Sequence, residues 1–191
     1  MAEQKTLGFA GSLRAGSYNR LLLRAAAEVA PDQMTIETFD LTPMPLYNQD
    51  LDVGEGPQPV ARFREAIDRA DGVLIATPEY QHGISRVLKN ALDWASRPPG
   101  RSVLRGKPIA MMGASPSPVG TARAHMQQEI LLYVQAQMVV TPEVLVAHAA
   151  EKFDDEGSFT DEVGRRFMRQ LLENLAEVIT ASGTGIISTL R

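Results

Sequence analysis

Five short apolar runs, each followed by apolar residues at helical spacing, constrain the fold of this chain more than any other feature of its sequence. The run GVLIAT at 72–77 is apolar on both faces, which is typical of a strand buried between two layers. The five runs lie at 6–10, 34–39, 72–77, 108–113 and 138–141, the last resuming at 144–146. Strands that alternate with helices in this way predict an α/β fold with a doubly wound parallel sheet and helices on both faces.

Apolar residues recur every three or four positions after each run, and each such stripe predicts one helix. The fourth stripe consists of Met126, Ile130, Tyr133 and Val134, which predicts one continuous helix across all four residues. The other four stripes lie at 21–29, 60–70, 87–95 and 163–178.

Length, charge and cysteine content limit the class of protein. The 191 residues suit one compact domain, which we predict over residues 1–191. The formal net charge of −4 argues against a nucleic-acid-binding protein, which normally carries a basic excess. There is no cysteine, which excludes disulfides and thiolate chemistry and suits a reducing compartment. The N-terminus lacks a signal-peptide pattern and no apolar run is long enough for a membrane span, so we expect a cytoplasmic protein without membrane insertion.

Three loops rich in glycine, serine, proline and polar residues follow the first, third and fourth predicted strands. They are GSLRAGSYNR at 11–20, PEYQHGISRVLKN at 78–90 and ASPSPVGTAR at 114–123. In a doubly wound sheet, ligands bind outside the carboxyl ends of the strands, at the switch in strand order. We therefore expect the three loops to converge on one ligand-binding edge.

The first loop predicts a site for a single phosphate group. Its two glycines have the spacing of a triphosphate-binding loop, but Ser17 stands where that motif requires lysine, and the dinucleotide fingerprint G-x-G-x-x-G is absent. Ser12, Arg14, Ser17 and Asn19 suit a phosphate monoester at the start of the first helix. The alternative is a simple helix cap by Ser17 or Asn19, with Arg14 as a solvated charge.

The second and third loops suit a flat ring. Pro78 stiffens the chain after the third strand, and Tyr80 either flanks a planar ring or packs against neighbouring loops. The small residues of the third loop permit close approach of the backbone to a ligand, or simply a tight connection. The sequence offers no nucleophile elbow, no carboxylate pair and no metal-ligand spacing of its histidines. We therefore expect no catalytic side chain and no metal site, and a cofactor that carries the chemistry.

Three motifs, in order and in the three predicted loops, resemble the NADPH-dependent FMN reductases of the flavodoxin-like fold, a group that includes bacterial quinone and chromate reductases. GSLRAGSYN matches that family's phosphate loop G-S-x-R-x-x-S-x-N, and TPEYQHGISRVLKNALDW is similar to its T-P-E-Y-N-x-S-x-P-G-x-L-K-N-A-I-D-W signature. GASPSPVGTAR resembles its third, small-residue loop. The resemblance covers essentially the whole chain and implies a five-stranded sheet in the order 2-1-3-4-5.

Carried over position by position, the resemblance implies a non-covalent FMN site built from ten residues. For the phosphate they are Ser12, Arg14, Ser17 and Asn19; for the isoalloxazine ring, largely through backbone groups, Pro78, Glu79, Tyr80 and Gln81; and for the other side of the ring, Ser115 and Ser117.

The family's usual state is a dimer, sometimes paired into a tetramer, so we expect a homodimer or homotetramer with the third helix and the loop at 45–51 near the interface.

The function implied by the resemblance is an NAD(P)H oxidoreductase. NADPH or NADH would deliver a hydride to bound FMN, and the reduced flavin would pass electrons to a quinone-like or other small acceptor. One alternative is a flavin-binding electron carrier or regulatory module without turnover of its own, and another is a flavin-free binding protein.

In the second loop, the second motif departs from the family's pattern at four positions. Gln81 replaces the usual Asn, Gly83 the usual Ser, and Ser85-Arg86 replaces Pro-Gly. Because the amide of Gln81 keeps a donor and an acceptor, we expect flavin binding to survive. The other changes alter the mouth of the site and bear on the electron acceptor and the nicotinamide preference.

Overall fold

The strands and helices alternate along residues 3–183, which are the residues that the computed structural model describes. The strands are β1 (Gln4–Ala10), β2 (Met34–Phe39), β3 (Gly72–Ala76), β4 (Glu79–Tyr80), β5 (Gly83–Ile84), β6 (Pro108–Ala114) and β7 (Gln137–Val146). The helices are α1 (Tyr18–Val29), α2 (Gln58–Arg69), α3 (Arg86–Ala95), α4 (Ala122–Met126), α5 (Glu129–Tyr133) and α6 (Glu162–Gly183). Within this part of the chain, no helix is both long enough and apolar enough to cross a membrane.

Five of the strands form a parallel sheet in the order β2-β1-β3-β6-β7, and β4 and β5 form a separate antiparallel hairpin. Counted along the chain, the five sheet strands have the order 2-1-3-4-5, so the predicted flavodoxin-like arrangement is confirmed. Every residue of β3 and β6 is buried, because helices cover both faces of these central strands. The edge strand β2 instead mixes buried and exposed residues.

Two hydrophobic cores lie on opposite faces of the sheet. On one face α1 and α6 pack against the strands, and Leu22 and Leu74 are fully buried there. On the other face, α2 and α3 cover Phe9 and Ile75 of the sheet. The ring of Phe63, from α2, packs edge to face on that of Phe9, with 5.2 Å between centroids. Full burial of each such side chain stabilises the fold by about 1.5–3 kcal/mol, so the strand ends that carry the loops are firmly held.

The segment after β6 differs from the sequence-based expectation. One helix was predicted across residues 126–134, and that prediction is wrong, because two short helices, α4 and α5, occupy the segment. The backbone N–H of Gln127 bonds the Ala124 carbonyl at 3.2 Å and closes α4 with a tight turn. The Gln127 side chain, at the corner between α4 and α5, accepts a hydrogen bond from the Ile84 N–H at 3.0 Å.

The last strand, β7, runs without interruption through the break that the sequence suggested. Its pairing with β6 shifts register between Ala110 and Met112, which face Val139 and Val144 respectively. The shift accommodates the polar residues between the two apolar runs as a bulge, so both runs belong to one strand.

The long loop between β2 and α2 is fixed to α3 by a buried ion cluster. The Asp52 carboxylate, whose side chain is only 8% exposed, accepts hydrogen bonds from Arg64 at 2.9 Å and Arg97 at 3.0 Å. Arg64 also donates to the Trp94 carbonyl and lies 5.7 Å from the centroid of the Trp94 ring. The indole N–H of Trp94 in turn donates to the Pro45 carbonyl at 2.9 Å. These contacts join the loop and the helix into one unit.

Replacement of the central carboxylate should destabilise this unit. We expect Asp52→Asn to lower the free energy of unfolding at pH 7 by about 1–3 kcal/mol, because charge-assisted hydrogen bonds to two arginines are weakened. The hydrogen bond from Arg64, followed by that from Arg97, holds the pKa of Asp52 below its usual range. The contribution of a carboxylate with a lowered pKa is fully present above the unfolded pKa of about 4 and is lost as the pH falls through the folded value.

Urea unfolding of the parent protein and of Asp52→Asn between pH 7 and pH 3 measures this contribution. The difference between the two should be constant above about pH 5 and should shrink below about pH 4. A difference that does not change with pH would show that the carboxylate charge does not stabilise the loop.

Candidate functional site

The three predicted loops meet at the carboxyl edge of β1, β3 and β6, which are adjacent strands of the sheet. Backbone hydrogen bonds continue from the sheet into the loops. The Gly11 N–H bonds the Ala76 carbonyl at 2.8 Å, and the Thr77 N–H bonds the Met112 carbonyl at 2.9 Å. The expected convergence of the loops therefore holds, and each loop leaves the sheet at a fixed position.

The first loop presents unpaired donors. Ser12 and Ser17 are buried, with 8% and 4% exposure, whereas Arg14 is exposed. Ser17 is the N-cap residue of α1, yet its side chain makes no capping hydrogen bond. Among the residues that the structure describes, the Arg14 guanidinium has no ion-pair or hydrogen-bond partner. Open N–H groups at a helix start beside an uncompensated guanidinium are the features of an anion site.

Asn19 links the first loop to the end of β6. Its Nδ2 donates to the Ala114 carbonyl at 2.9 Å, and its Oδ1 accepts from the Ala114 N–H at 2.9 Å. These two hydrogen bonds are the kind that a neighbouring strand would make with Ala114, and the Asn19 side chain is 3% exposed. Contact between Asn19 and a phosphate stays a prediction; the contacts present are those of a residue that positions α1.

Ser85 links the second loop to the first. Its hydroxyl donates to the Gly11 carbonyl at 2.5 Å and accepts from the Leu88 N–H at 3.0 Å, which caps α3. A Cβ atom on Gly11 would lie 2.9 Å from the Ser85 oxygen, so glycine is needed for this close approach. Proline, which the related motif has at position 85, could not make either bond.

Glu79 links the second loop to the third. One of its carboxylate oxygens accepts hydrogen bonds from the backbone N–H groups of Arg123 at 2.8 Å and Ala124 at 3.2 Å. The Arg123 guanidinium also lies 3.6 Å from the other oxygen, and the Glu79 side chain is 9% exposed. Thr121, the N-cap residue of α4, makes no side-chain cap. Glu79 therefore supplies the cap of α4 from another loop.

The hairpin β4–β5 carries the exposed part of the second loop. Pro78 is buried before it, whereas Tyr80 is 58% exposed. Gln81 and His82 form the two-residue turn with φ values of 49° and 66°. Positive φ at both positions is characteristic of a type I′ turn, which matches the twist of a hairpin. Glu79, Tyr80 and Gln81, three of the predicted ring-binding residues, thus lie together on the hairpin.

Ser115 and Ser117 are held by the segment that follows β7. The hydroxyls of the two serines lie 3.2 Å apart, and the Ser115 hydroxyl also accepts from the Ser117 N–H at 3.2 Å. Their carbonyls accept hydrogen bonds from the N–H groups of Ala149 and His148 at 3.0 and 3.2 Å. The third loop is therefore held by hydrogen bonds to the segment after β7 and by hydrogen bonds within the loop.

The histidines do not form a reactive group with these loops. His125 is 6% exposed in α4, where its Nδ1 lies 3.0 Å from the Thr121 carbonyl. Burial lowers the pKa of His125, so the ring is neutral at pH 7. In residues 3–183, no group of three or more histidine or acidic side chains is arranged to hold a metal ion. The ordered loops can bind and orient a ligand.

Comparison with known proteins agrees with this geometry. A sequence model of the family described as NADPH-dependent FMN reductase matches residues 4–152. The chain is 44% identical over 173 residues to an NAD(P)H-dependent FMN reductase of Pseudomonas aeruginosa, which covers 90% of this chain and 92% of that protein. It is 38% identical over 167 residues to a 2-hydroxy-1,4-benzoquinone reductase of a Burkholderia species, with 87% and 91% covered.

A solved structure is similar over nearly its whole length. FerB, a flavoenzyme NAD(P)H:(acceptor) oxidoreductase from Paracoccus denitrificans, is 32% identical and superposes with a TM-score of 0.83. The match covers 94% of this chain and 98% of that one.

The two polar residues at the start of α1 should differ sharply in their effect on stability. Asn19→Ala leaves the N–H and carbonyl of Ala114 without partners, so we expect the free energy of unfolding to fall by about 2–4 kcal/mol. Ser17→Ala removes no capping bond and should cost less than about 0.5 kcal/mol, below the usual cost of losing an N-cap side chain. Denaturant unfolding of both variants measures the contrast, and equal losses would contradict the assigned contacts.

Proposed function

Because the chain belongs to the NADPH-dependent FMN reductase family, we propose that the edge formed by its three loops holds FMN between a nicotinamide donor and a small acceptor. The protein is an FMN-dependent NAD(P)H oxidoreductase. When bound, FMN supplies the redox chemistry, accepting a hydride from NADPH or NADH and passing electrons on. The protein supplies the phosphate site, the ring site and the order of the surrounding loops.

The open donors of the first loop are the observation that carries this proposal. Arg14 would neutralise charge on the phosphate, and the hydroxyls of Ser12 and Ser17 would donate to its oxygens. The Ser17 side chain leaves the start of α1 uncapped, so N–H groups of the first turn are free for the same ligand. Asn19 would act mainly by holding α1 against β6.

The isoalloxazine ring would lie between the second and third loops. Backbone groups of Pro78, Glu79, Tyr80 and Gln81 would line one side, and Ser115 and Ser117 would approach the other. The carboxylate of Glu79 is already engaged with α4, which favours a backbone role for this residue at the ring. Hydride transfer depends mainly on the relative position of donor and acceptor, which loops held by hydrogen bonds to one another would fix.

The acceptor we propose is quinone-like. Relatives of this chain are named as quinone reductases, including the benzoquinone reductase of Burkholderia. The exposed ring of Tyr80 beside the turn offers an apolar surface at the mouth of the site, where a flat acceptor could pack.

We also propose one domain over residues 1–191, a homodimer or homotetramer, and a cytoplasmic location. The proposal of self-association is supported by the resemblance and by a groove of about 760 Å³ between α3 and α5. Tyr133 and Leu132 beside it are 89% and 52% exposed, which a second copy of the chain would cover. The cytoplasmic location is supported by the cysteine-free composition.

A visible spectrum of the purified protein, followed by anaerobic NADPH and then benzoquinone, tests the function. We expect FMN absorption that NADPH bleaches and benzoquinone restores, with steady NADPH oxidation when both are present. A bound flavin that neither NADPH nor NADH bleaches would identify a carrier or regulatory module instead. A protein that stays colourless after incubation with FMN would overturn the flavin site.

Arg14→Ala tests the phosphate end of the site. A charge-assisted contact is worth about 1.5–3 kcal/mol, so the FMN dissociation constant should rise about 10- to 150-fold. The matched control is Arg169→Ala, which removes an exposed guanidinium from α6, outside the three loops, and should leave the FMN dissociation constant within about twofold. Quenching of flavin fluorescence measures both, and unchanged affinity in Arg14→Ala would contradict the phosphate assignment.

A further inference from the structure

The hairpin β4–β5 is too small to hold its own shape. Each strand has two residues, and Glu79 pairs with Ile84 while Tyr80 pairs with Gly83. A two-stranded hairpin is marginal in water even when it is longer. Its turn is also unfavourable, because Gln81 and His82 both adopt positive φ without being glycine or asparagine. Contacts outside the hairpin must therefore fix its position.

One such contact comes from the corner between α4 and α5. The Oε1 atom of Gln127 accepts a hydrogen bond from the Ile84 N–H at 3.0 Å. Gln127 lies just after α4, whose first turn is capped by Glu79 from the opposite strand of the hairpin. Both strands of the hairpin are thus attached to the same helix, one at its start and one just past its end.

The Gln127 carboxamide fits against a surface that only glycine leaves open. A Cβ atom on Gly83 would lie 2.8 Å from Nε2, 2.9 Å from Oε1 and 3.1 Å from Cδ of Gln127. Contacts this short mean that any side chain at position 83 must push the carboxamide away. Gly83 does not have a positive φ, so a side chain at this position would act by displacing the end of the Gln127 side chain rather than through backbone strain.

We propose that Gln127 is a positioning residue for the flavin ring, with its carboxamide seated on Gly83 to fix the hairpin that carries Tyr80 and Gln81. This rests on the proposed function, because the position of the hairpin affects the reaction only through a ring bound beside it. Gln127 and Gly83 then act as one unit. A larger residue at 83 should have the same effect as loss of the Gln127 carboxamide, since either change breaks the bond to Ile84.

A double-mutant cycle tests the unit directly. Gln127→Ala and Gly83→Ala should each raise the FMN dissociation constant of the full-length protein about two- to tenfold, the range for loss of one neutral hydrogen bond. The double variant should be no weaker than the weaker single variant, because both changes remove the same bond. Gln127→Glu keeps an acceptor oxygen at the same reach and should bind FMN within about twofold of the parent protein.

The control is Gln128→Ala, which removes the same atoms at the next residue. The Gln128 side chain makes no capping hydrogen bond to α5. It should bind FMN like the parent protein. Independent effects of the two changes in the cycle, or equal effects of Gln127→Ala and Gln128→Ala, would overturn the proposal. Failure of Gln127→Glu to restore binding would also overturn it.

Measurements on the same variants without FMN distinguish failure of this proposal from failure of the proposed flavin site. Thermal unfolding of the four proteins of the cycle, with no FMN added, should again show that the two changes do not add. If the parent protein binds no FMN but the unfolding cycle is non-additive, the flavin site is wrong and the Gln127–Gly83 unit stands. If the parent binds FMN and both cycles are additive, the positioning role is wrong.

Discussion

The candidate site depends on hydrogen bonds by which a side chain of one loop satisfies backbone groups of the next. Asn19 pairs with both backbone groups of Ala114, Ser85 donates to the Gly11 carbonyl, and Glu79 caps α4. The two hydrophobic cores fix the strands and the helices packed on them, whereas the loops between these elements are held largely by polar contacts. The links between the loops extend that order to the edge of the sheet, so a ligand would meet an arranged site rather than three mobile segments.

Polar residues at this edge fall into two groups with different tasks. Asn19, Glu79 and Ser85 use their side-chain polar atoms on the protein itself. Ser17 makes no capping bond and Arg14 has no partner among the described residues, so both remain available to a ligand. A simple helix cap, the alternative for this loop, is excluded for the Ser17 side chain, and Asn19 bonds β6 rather than the start of its own helix. Because different residues order the loops and present open donors, the edge of the sheet can be ordered and still offer donors to a ligand.

Hydrophobic periodicity and the geometry of parallel strands predicted the sheet and the meeting of the loops, and the family resemblance implied the strand order. Sequence alone did not predict the cap of α4 by Glu79, which lies 44 residues before Arg123 along the chain. It also missed the break between α4 and α5, since the apolar stripe continues across the corner at which Gln127 bonds the hairpin. Local patterns contain no information about partners supplied by another loop, so these features required the structure.

Two departures from the family's second motif, at positions 83 and 85, have the same physical effect on the hairpin and the helix that follows it. The proline expected at 85 would stiffen the chain by itself; Ser85 instead fixes it with bonds to Gly11 and Leu88. Because Gly83 has no Cβ, the Gln127 carboxamide can lie against its backbone. Local stiffness is thus replaced by contacts to distant residues, so the mouth of the site is only as rigid as those contacts. A change in acceptor preference would then arise from residues that never touch the acceptor.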